Sequence, residues 1–171
     1  ADKSGNGRDA KLYGTAEFSD DTAEPGGKSL LLKGGYVHMP EDIFGDSESL
    51  TISVWTRPMR SAAWSRIWDI GNGTNQYLAL MSPSSDTRFA CEIKNGSTDN
   101  DKARATSSQS FTTGSWKNVV VTYSQNGNIT LYENGVQTGQ TAVGSLKTAD
   151  FGNITRAFIG RSMFSPDTDY Y

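Results

Sequence analysis

Two Asn-Gly dipeptides eight residues apart, Asn126-Gly127 and Asn134-Gly135, constrain this chain more than any other feature. Both residues tolerate the positive φ of a type I′ turn, which makes the pair the strongest short-range hairpin signal. Trp116–Tyr123 before the first pair, Asn128–Glu133 between the pairs and Val136–Gly139 after the second then read as a three-stranded meander. Asn-Gly recurs at Asn6-Gly7, Asn72-Gly73 and Asn95-Gly96, so tight turns punctuate the whole chain.

Strict alternation supplies further strands. In Leu50–Arg57, Leu50, Ile52 and Val54 share one face, while Thr51, Ser53, Trp55 and Arg57 share the other. In Asp86–Lys94, Phe89, Cys91 and Ile93 oppose Arg88, Ala90, Glu92 and Lys94. Lys28–Lys33, Gly35–Met39, Arg66–Ile70, Tyr77–Ser82 and Ala157–Ser162 are expected strands, with a short helical turn near Pro40–Phe44. The polar stretches Gly96–Ala105 and Ser107–Gly114 read as long hairpin connections. No segment sustains a 3.6-residue period. Short strands without long helices imply an all-β, two-sheet antiparallel jelly-roll sandwich, here a single module over residues 1–171.

Charge and composition narrow the function. Sixteen Lys and Arg against 19 Asp and Glu leave a net charge of −3 without a basic block, which excludes nucleic acid and anionic membranes as main partners. One cysteine, Cys91, and one histidine, His38, exclude an intrachain disulfide, Cys/His zinc sites and Cys-His catalysis. No apolar run approaches the ~20 residues of a membrane-spanning helix. The chain opens at Ala1-Asp2-Lys3 in what reads as a loop with no signal peptide, and is expected to be a fragment of a larger secreted protein. The Gly-, Asn- and Thr-rich, disulfide-free style is that of a bacterial secreted β protein. Asn-x-Ser/Thr sequons at Asn72, Asn95, Asn128 and Asn153 then read as chance.

Glycan hydrolysis on such a sandwich needs two carboxylates about 5–10 Å apart. On a strand this means acids at i, i+2 or i+4, and Asp69, Glu92 and Glu133 each lack such a neighbour. The pattern Glu-x-Asp-x-x-Glu does not occur, and Asp99 and Asp101 fall in a polar loop. No catalytic residues are therefore assigned. Sugar binding instead needs aromatic platforms and planar polar groups. Trp64, Arg66, Trp68 and Tyr77 cluster around one expected hairpin, and Arg88 and Glu92 lie on the less apolar face of a neighbouring strand; these six are the candidate ligand-binding residues. Arg66 and Asp69 also fit a buried structural ion pair, and Trp55 and Trp116 are the kind of aromatics that fill a sandwich core. The loop Asp2-Lys3-Ser4-Gly5-Asn6-Gly7 offers side-chain and carbonyl oxygens for a calcium ion, with Asp2, Gly5 and Asn6 as ligands; Asx turns are the alternative reading.

Several stretches, in order along the chain, resemble the laminin-G-like modules of the concanavalin A-like lectin/glucanase superfamily. They are Asp2–Gly7, Gly35–Pro40, Leu50–Trp55, Trp64–Gly71, Gly114–Thr122, Leu131–Gly135 and Ala157–Ser162. The variety is the one appended to bacterial glycoside hydrolases acting on arabinan and xylan. The pattern departs in lacking a strand before Asp2 and a closing acidic strand after Ser162. The resemblance implies a structural calcium near Asp2–Gly7 and a secreted, non-catalytic module that targets or supports a linked glycoside hydrolase on polysaccharide. The alternative is a structural module that packs against a neighbouring catalytic domain and binds no free sugar.

Overall fold

The computed structural model describes residues 2–44, 47–82 and 87–164. Thirteen strands are found among them: β1 Lys11–Tyr13, β2 Glu17–Ser19, β3 Ser29–Leu31, β4 Tyr36–His38, β5 Ser49–Thr56, β6 Ser65–Gly73, β7 Gln76–Ser82, β8 Arg88–Asn95, β9 Lys102–Ser110, β10 Lys117–Ser124, β11 Asn128–Glu133, β12 Val136–Ala142 and β13 Arg156–Ile159. They form a seven-stranded sheet in the order β1-β4-β13-β6-β7-β8-β9, a four-stranded sheet in the order β12-β11-β10-β5, and a β2–β3 ribbon. The pairings are antiparallel, giving the expected two-sheet sandwich.

The meander forms as the Asn-Gly turns require, with Asn126 and Asn134 at φ of 58° and 49°. Its inward positions, including Val119, Val121, Ile129 and Leu131, meet Leu78, Leu80, Phe89 and Ile93 of the larger sheet in one continuous core. Phe89 stacks on Phe111 with centroids 4.6 Å apart. A Cβ on Gly139 of β12 would lie 2.5 Å from the Thr106 carbonyl of β9, so only glycine lets these two edge strands close the sandwich along one side.

Two expectations are corrected. Residues 40–44 form a bend rather than a helical turn, and the short 3-10 turns lie at Asp99–Asp101 and Thr148–Phe151. The polar stretch read as a loop contains the nine-residue strand β9. Its Ala, Ser and Thr side chains carry little apolar signal because the strand fits into the tight seam against β12. The expected turn Ser165-Pro166-Asp167 lies outside the described residues, as does Asp86.

Candidate functional site

The three lone acids become intelligible once the sheets are assembled. Asp69 is fully buried and accepts from Arg66 Nε at 3.2 Å. Glu92 takes Arg104 through Nε and Nη2, each 2.6 Å from Oε2. Glu133 takes Lys117 Nζ at 2.5 Å, with the Ser107 hydroxyl on its other oxygen. A buried carboxylate needs a cation and hydrogen-bond donors to offset its lost hydration, and each of these has both.

Two of the pairs share the outward face of the seven-stranded sheet. Cross-strand register aligns Asp69, Ala79, Glu92 and Arg104 in one row over β6, β7, β8 and β9, with Arg66, Met81, Ala90 and Thr106 beside it. Tyr77 Oη donates to Glu92 Oε1. Burial and the Glu92 carboxylate push its phenol pKa far up, so it stays protonated as a donor. Asp69 and Glu92 thus lie on one face with a single strand between them, about 10 Å apart at their backbones. Both carboxylates are tied into hydrogen bonds, so the arrangement is a clamp.

The chain itself covers the middle of this face. The Met163 backbone N–H donates to Asp69 Oδ2 at 3.1 Å. Phe164 meets Tyr77 edge-on at 5.6 Å, and the Arg66 guanidinium lies 5.3 Å from the same ring. Arg66, Tyr77 and Glu92 are consequently only 3%, 4% and 2% exposed, and they form the floor of the face rather than its surface. Trp68 is corrected more sharply. A bulge between Arg66 and Trp68 breaks the alternation and turns Trp68 into the inter-sheet core, where it is 3% exposed. Arg88 is half-buried at the start of β8, opposite Ser110 where the β8–β9 register shifts.

Trp64 alone among the six presents a large open surface, 44% exposed. Its backbone sits in the left-handed region at φ 66°. That conformation costs a bulky residue roughly 1–2 kcal/mol and persists only where the surroundings over-determine it. Here they do: its N–H donates to Ser82 O at 2.5 Å, and its carbonyl accepts from Arg66 Nη1 at 2.5 Å. The indole lies 5.2 Å from the Arg104 guanidinium, which Glu92 holds rigid from below. Arg104 was hidden to sequence reasoning within a presumed loop. The signal that could have found it is Glu92, an isolated acid in an apolar strand that requires a cation across the sheet.

The Asp2–Gly7 loop is closed by its own hydrogen bonds. Asp2 Oδ1 accepts from Ser4 N at 2.8 Å, and Oδ2 accepts from Ser4 Oγ at 2.7 Å and from Arg8 N at 3.0 Å. These donors hold the Asp2 carboxyl pKa at about 2. Asn6 N–H and its amide both donate to Ser4 Oγ, and Gly5 serves the turn with φ 83°. No group of three His, Cys, Asp or Glu side chains that could hold a metal ion occurs among the described residues. Asp2, Gly5 and Asn6 thus stand in a hydrogen-bonded, Asx-type turn.

A family model described as the concanavalin A-like lectin/glucanases superfamily matches residues 32–171. The chain belongs to that superfamily. Among curated proteins none matches. Solved structures show the same fold at low identity. Domain 4 of an extracellular family-43 arabinanase from Geobacillus stearothermophilus, solved with arabinotriose, is 16% identical with a TM-score of 0.74, over 92% of this chain and 75% of that one. The family-40 carbohydrate-binding module of a Ruminococcus gnavus sialidase, solved with α2,3-sialyllactose, is 18% identical with a TM-score of 0.60, over 72% and 69%. The binding domain of botulinum neurotoxin serotype C1 is 19% identical with a TM-score of 0.68, and this chain spans 40% of its length. No helix among the described residues is long and apolar enough to cross a membrane.

Proposed function

We propose that this chain is a non-catalytic carbohydrate-binding module that works outside the cell and holds a linked glycoside hydrolase on polysaccharide of the arabinan or xylan type. The observation that carries the proposal is Trp64, a half-open indole fixed in a left-handed backbone and backed by the Arg104–Glu92 pair. A flat ring accepts the C–H face of a sugar, and the Arg104 guanidinium beside it, with Nε and Nη2 on Glu92, keeps its Nη1 N–H groups for hydroxyls. Both groups are pre-ordered, so little conformational entropy is lost on binding. The arabinanase domain and the sialidase module, solved with arabinotriose and sialyllactose, support the ligand class by sharing the fold. Engagement of Asp69 and Glu92 in ion pairs supports a binding role over a hydrolytic one.

Affinity gels containing arabinan, xylan or an acidic control polysaccharide test the reading. Retardation by a neutral plant polysaccharide, with no release of reducing sugar, is expected. A chain that no glycan retards, or that cleaves arabinan or xylan, contradicts it.

A further inference from the structure

The other side of the sandwich carries a second surface. Alternation along β5, β10 and β11 sends Ile52, Val54, Val119, Val121 and Leu131 toward the core. The outward positions fall into cross-strand rows. One runs Ser53, Val120, Tyr132 and Gln137, with Trp55 beside Asn118 on one flank. On the other flank runs Thr51, Thr122, Thr130 and Gln140. A fifth of the chain is charged, yet none of these ten positions is.

Val120 lies opposite Tyr132 and diagonal to Trp55, and hydroxyls and amides flank this line of apolar groups. Trp55 is 44% exposed and Tyr132 is half-buried, two strands away and so about 10 Å across the sheet. Trp116, just before β10, joins them at the end of the face. Its Nε1 donates to Asp21 Oδ1 at 3.2 Å, and Asp21 Oδ2 holds Arg57 Nη2 at 2.5 Å. The nearest cation is thereby neutralised and the indole edge fixed. The amides are oriented too: Asn118 Nδ2 donates to Ser53 Oγ at 3.3 Å, and Gln140 Nε2 donates to Thr130 Oγ1 at 3.1 Å. Each keeps its amide oxygen as an acceptor for an incoming hydroxyl.

We propose that this face is a second binding surface for a neutral polysaccharide chain. A polymer with apolar C–H faces and hydroxyl edges, and no charge, matches spaced rings among fixed amides and hydroxyls. Protein interfaces enrich Arg beside their apolar centre, and none of these ten positions is Arg. The inference rests on the carbohydrate reading for its ligand class, but on none of the same residues. Trp64 and Trp55 lie on opposite sides of the sandwich, so a short oligosaccharide reaches one or the other. A long or networked polymer engages both, and its retention gains from the two together.

Calorimetric titration of the 171-residue chain with neutral arabino- and xylo-oligosaccharides, alongside arabinan and xylan gels, tests this with Trp55→Ala, Tyr132→Ala, Trp64→Ala and the Trp55→Ala/Trp64→Ala pair. Two sites per chain are expected, with one left in each single variant and none in the pair, and polymer retention falling at least tenfold in each single variant. Unchanged stoichiometry and retention in Trp55→Ala and Tyr132→Ala, with complete loss in Trp64→Ala, overturns the second surface and leaves the first reading standing. Absence of any glycan binding by the unaltered chain overturns both. Self-association in sedimentation that Trp55→Ala abolishes makes the face a protein interface and overturns the proposal.

Discussion

The outward faces of the two sheets are built on opposite chemistry. The seven-stranded sheet turns outward the ion pairs Arg66–Asp69 and Glu92–Arg104; Met163 and Phe164 of its own chain cover the first, and Trp64 lies against Arg104 of the second. The four-stranded sheet turns outward Thr, Ser, Asn and Gln with Trp55 and Tyr132, all uncharged. Charge sits on the face that is closed, where each carboxylate has a fixed partner. The open face carries no charge to pair, and its amides bond to neighbouring hydroxyls, Asn118 to Ser53 and Gln140 to the buried Thr130. Asp69 and Glu92 are each the lone acid of their strand and mark the closed face, whereas Glu133, the third, points inward to Ser107 and Lys117; on the proposed reading, ligand contact on the closed side falls to the rim at Trp64.

Breaking the covered face is expected to have the largest effect. Asp69→Ala leaves the buried Arg66 without its carboxylate, and should cost about 3–5 kcal/mol in urea denaturation. A loss below about 1 kcal/mol, typical of exposed pairs, would mean that the face is hydrated and not closed. Trp64 comes next. Trp64→Gly removes the left-handed strain, so it should be about 1 kcal/mol more stable than Trp64→Ala by the same measurement. Equal stability would mean that the backbone is not held in that region. On the open face, Trp55→Ala should change stability by no more than about 0.5 kcal/mol. A loss of about 3 kcal/mol would return Trp55 to a core role.

The smallest effect is local and lies outside both sheets. The Asp2 carboxyl pKa, at about 2, is below the ordinary value of 3.8 because Ser4 and Arg8 donate to it. A depressed folded-state pKa means that its contribution is present above the ordinary value and is lost as pH falls through about 2. Amide exchange at Ser4 and Arg8 should rise over that window, and in Asp2→Asn at neutral pH. Melting in calcium and in chelator should coincide. A shift equivalent to about 2.7 kcal/mol at a hundredfold excess over Kd would instead place an ion in the loop.

Much of this was legible in the sequence, and the misses have physical causes. β5, β8 and the meander announce themselves because one face of each is apolar and the turns are Asn-Gly. Strand β9 does not, because its Ala, Ser and Thr residues suit a tight seam that only three-dimensional closure explains. The size of Trp55 suggests a core role, although its alternation with Thr51 and Ser53 points it outward. The size of Trp116 suggests the same, and its indole instead meets Asp21 and Arg57 at the surface. Trp68 went the other way, since no residue pattern in Arg66-Ile67-Trp68 declares the bulge that rotates it inward. The covering of Tyr77 and Arg66 by Phe164 depends on a contact nearly a hundred residues distant in the chain, beyond what local periodicity encodes.

The central claim is that Trp64 is a ligand platform on a folded frame, and one variant measured two ways tests it. Trp64→Ala should keep its melting temperature within a few degrees, because the half-open indole contributes little to the core. Its retardation on the polysaccharide that retards the unaltered chain should fall roughly thirtyfold, the loss of a hot-spot contact of about 2 kcal/mol. A folded Trp64→Ala chain with unchanged retardation contradicts the account, as does a melting temperature that falls by the full cost of an emptied core, about 3–5 kcal/mol, with binding lost only through unfolding.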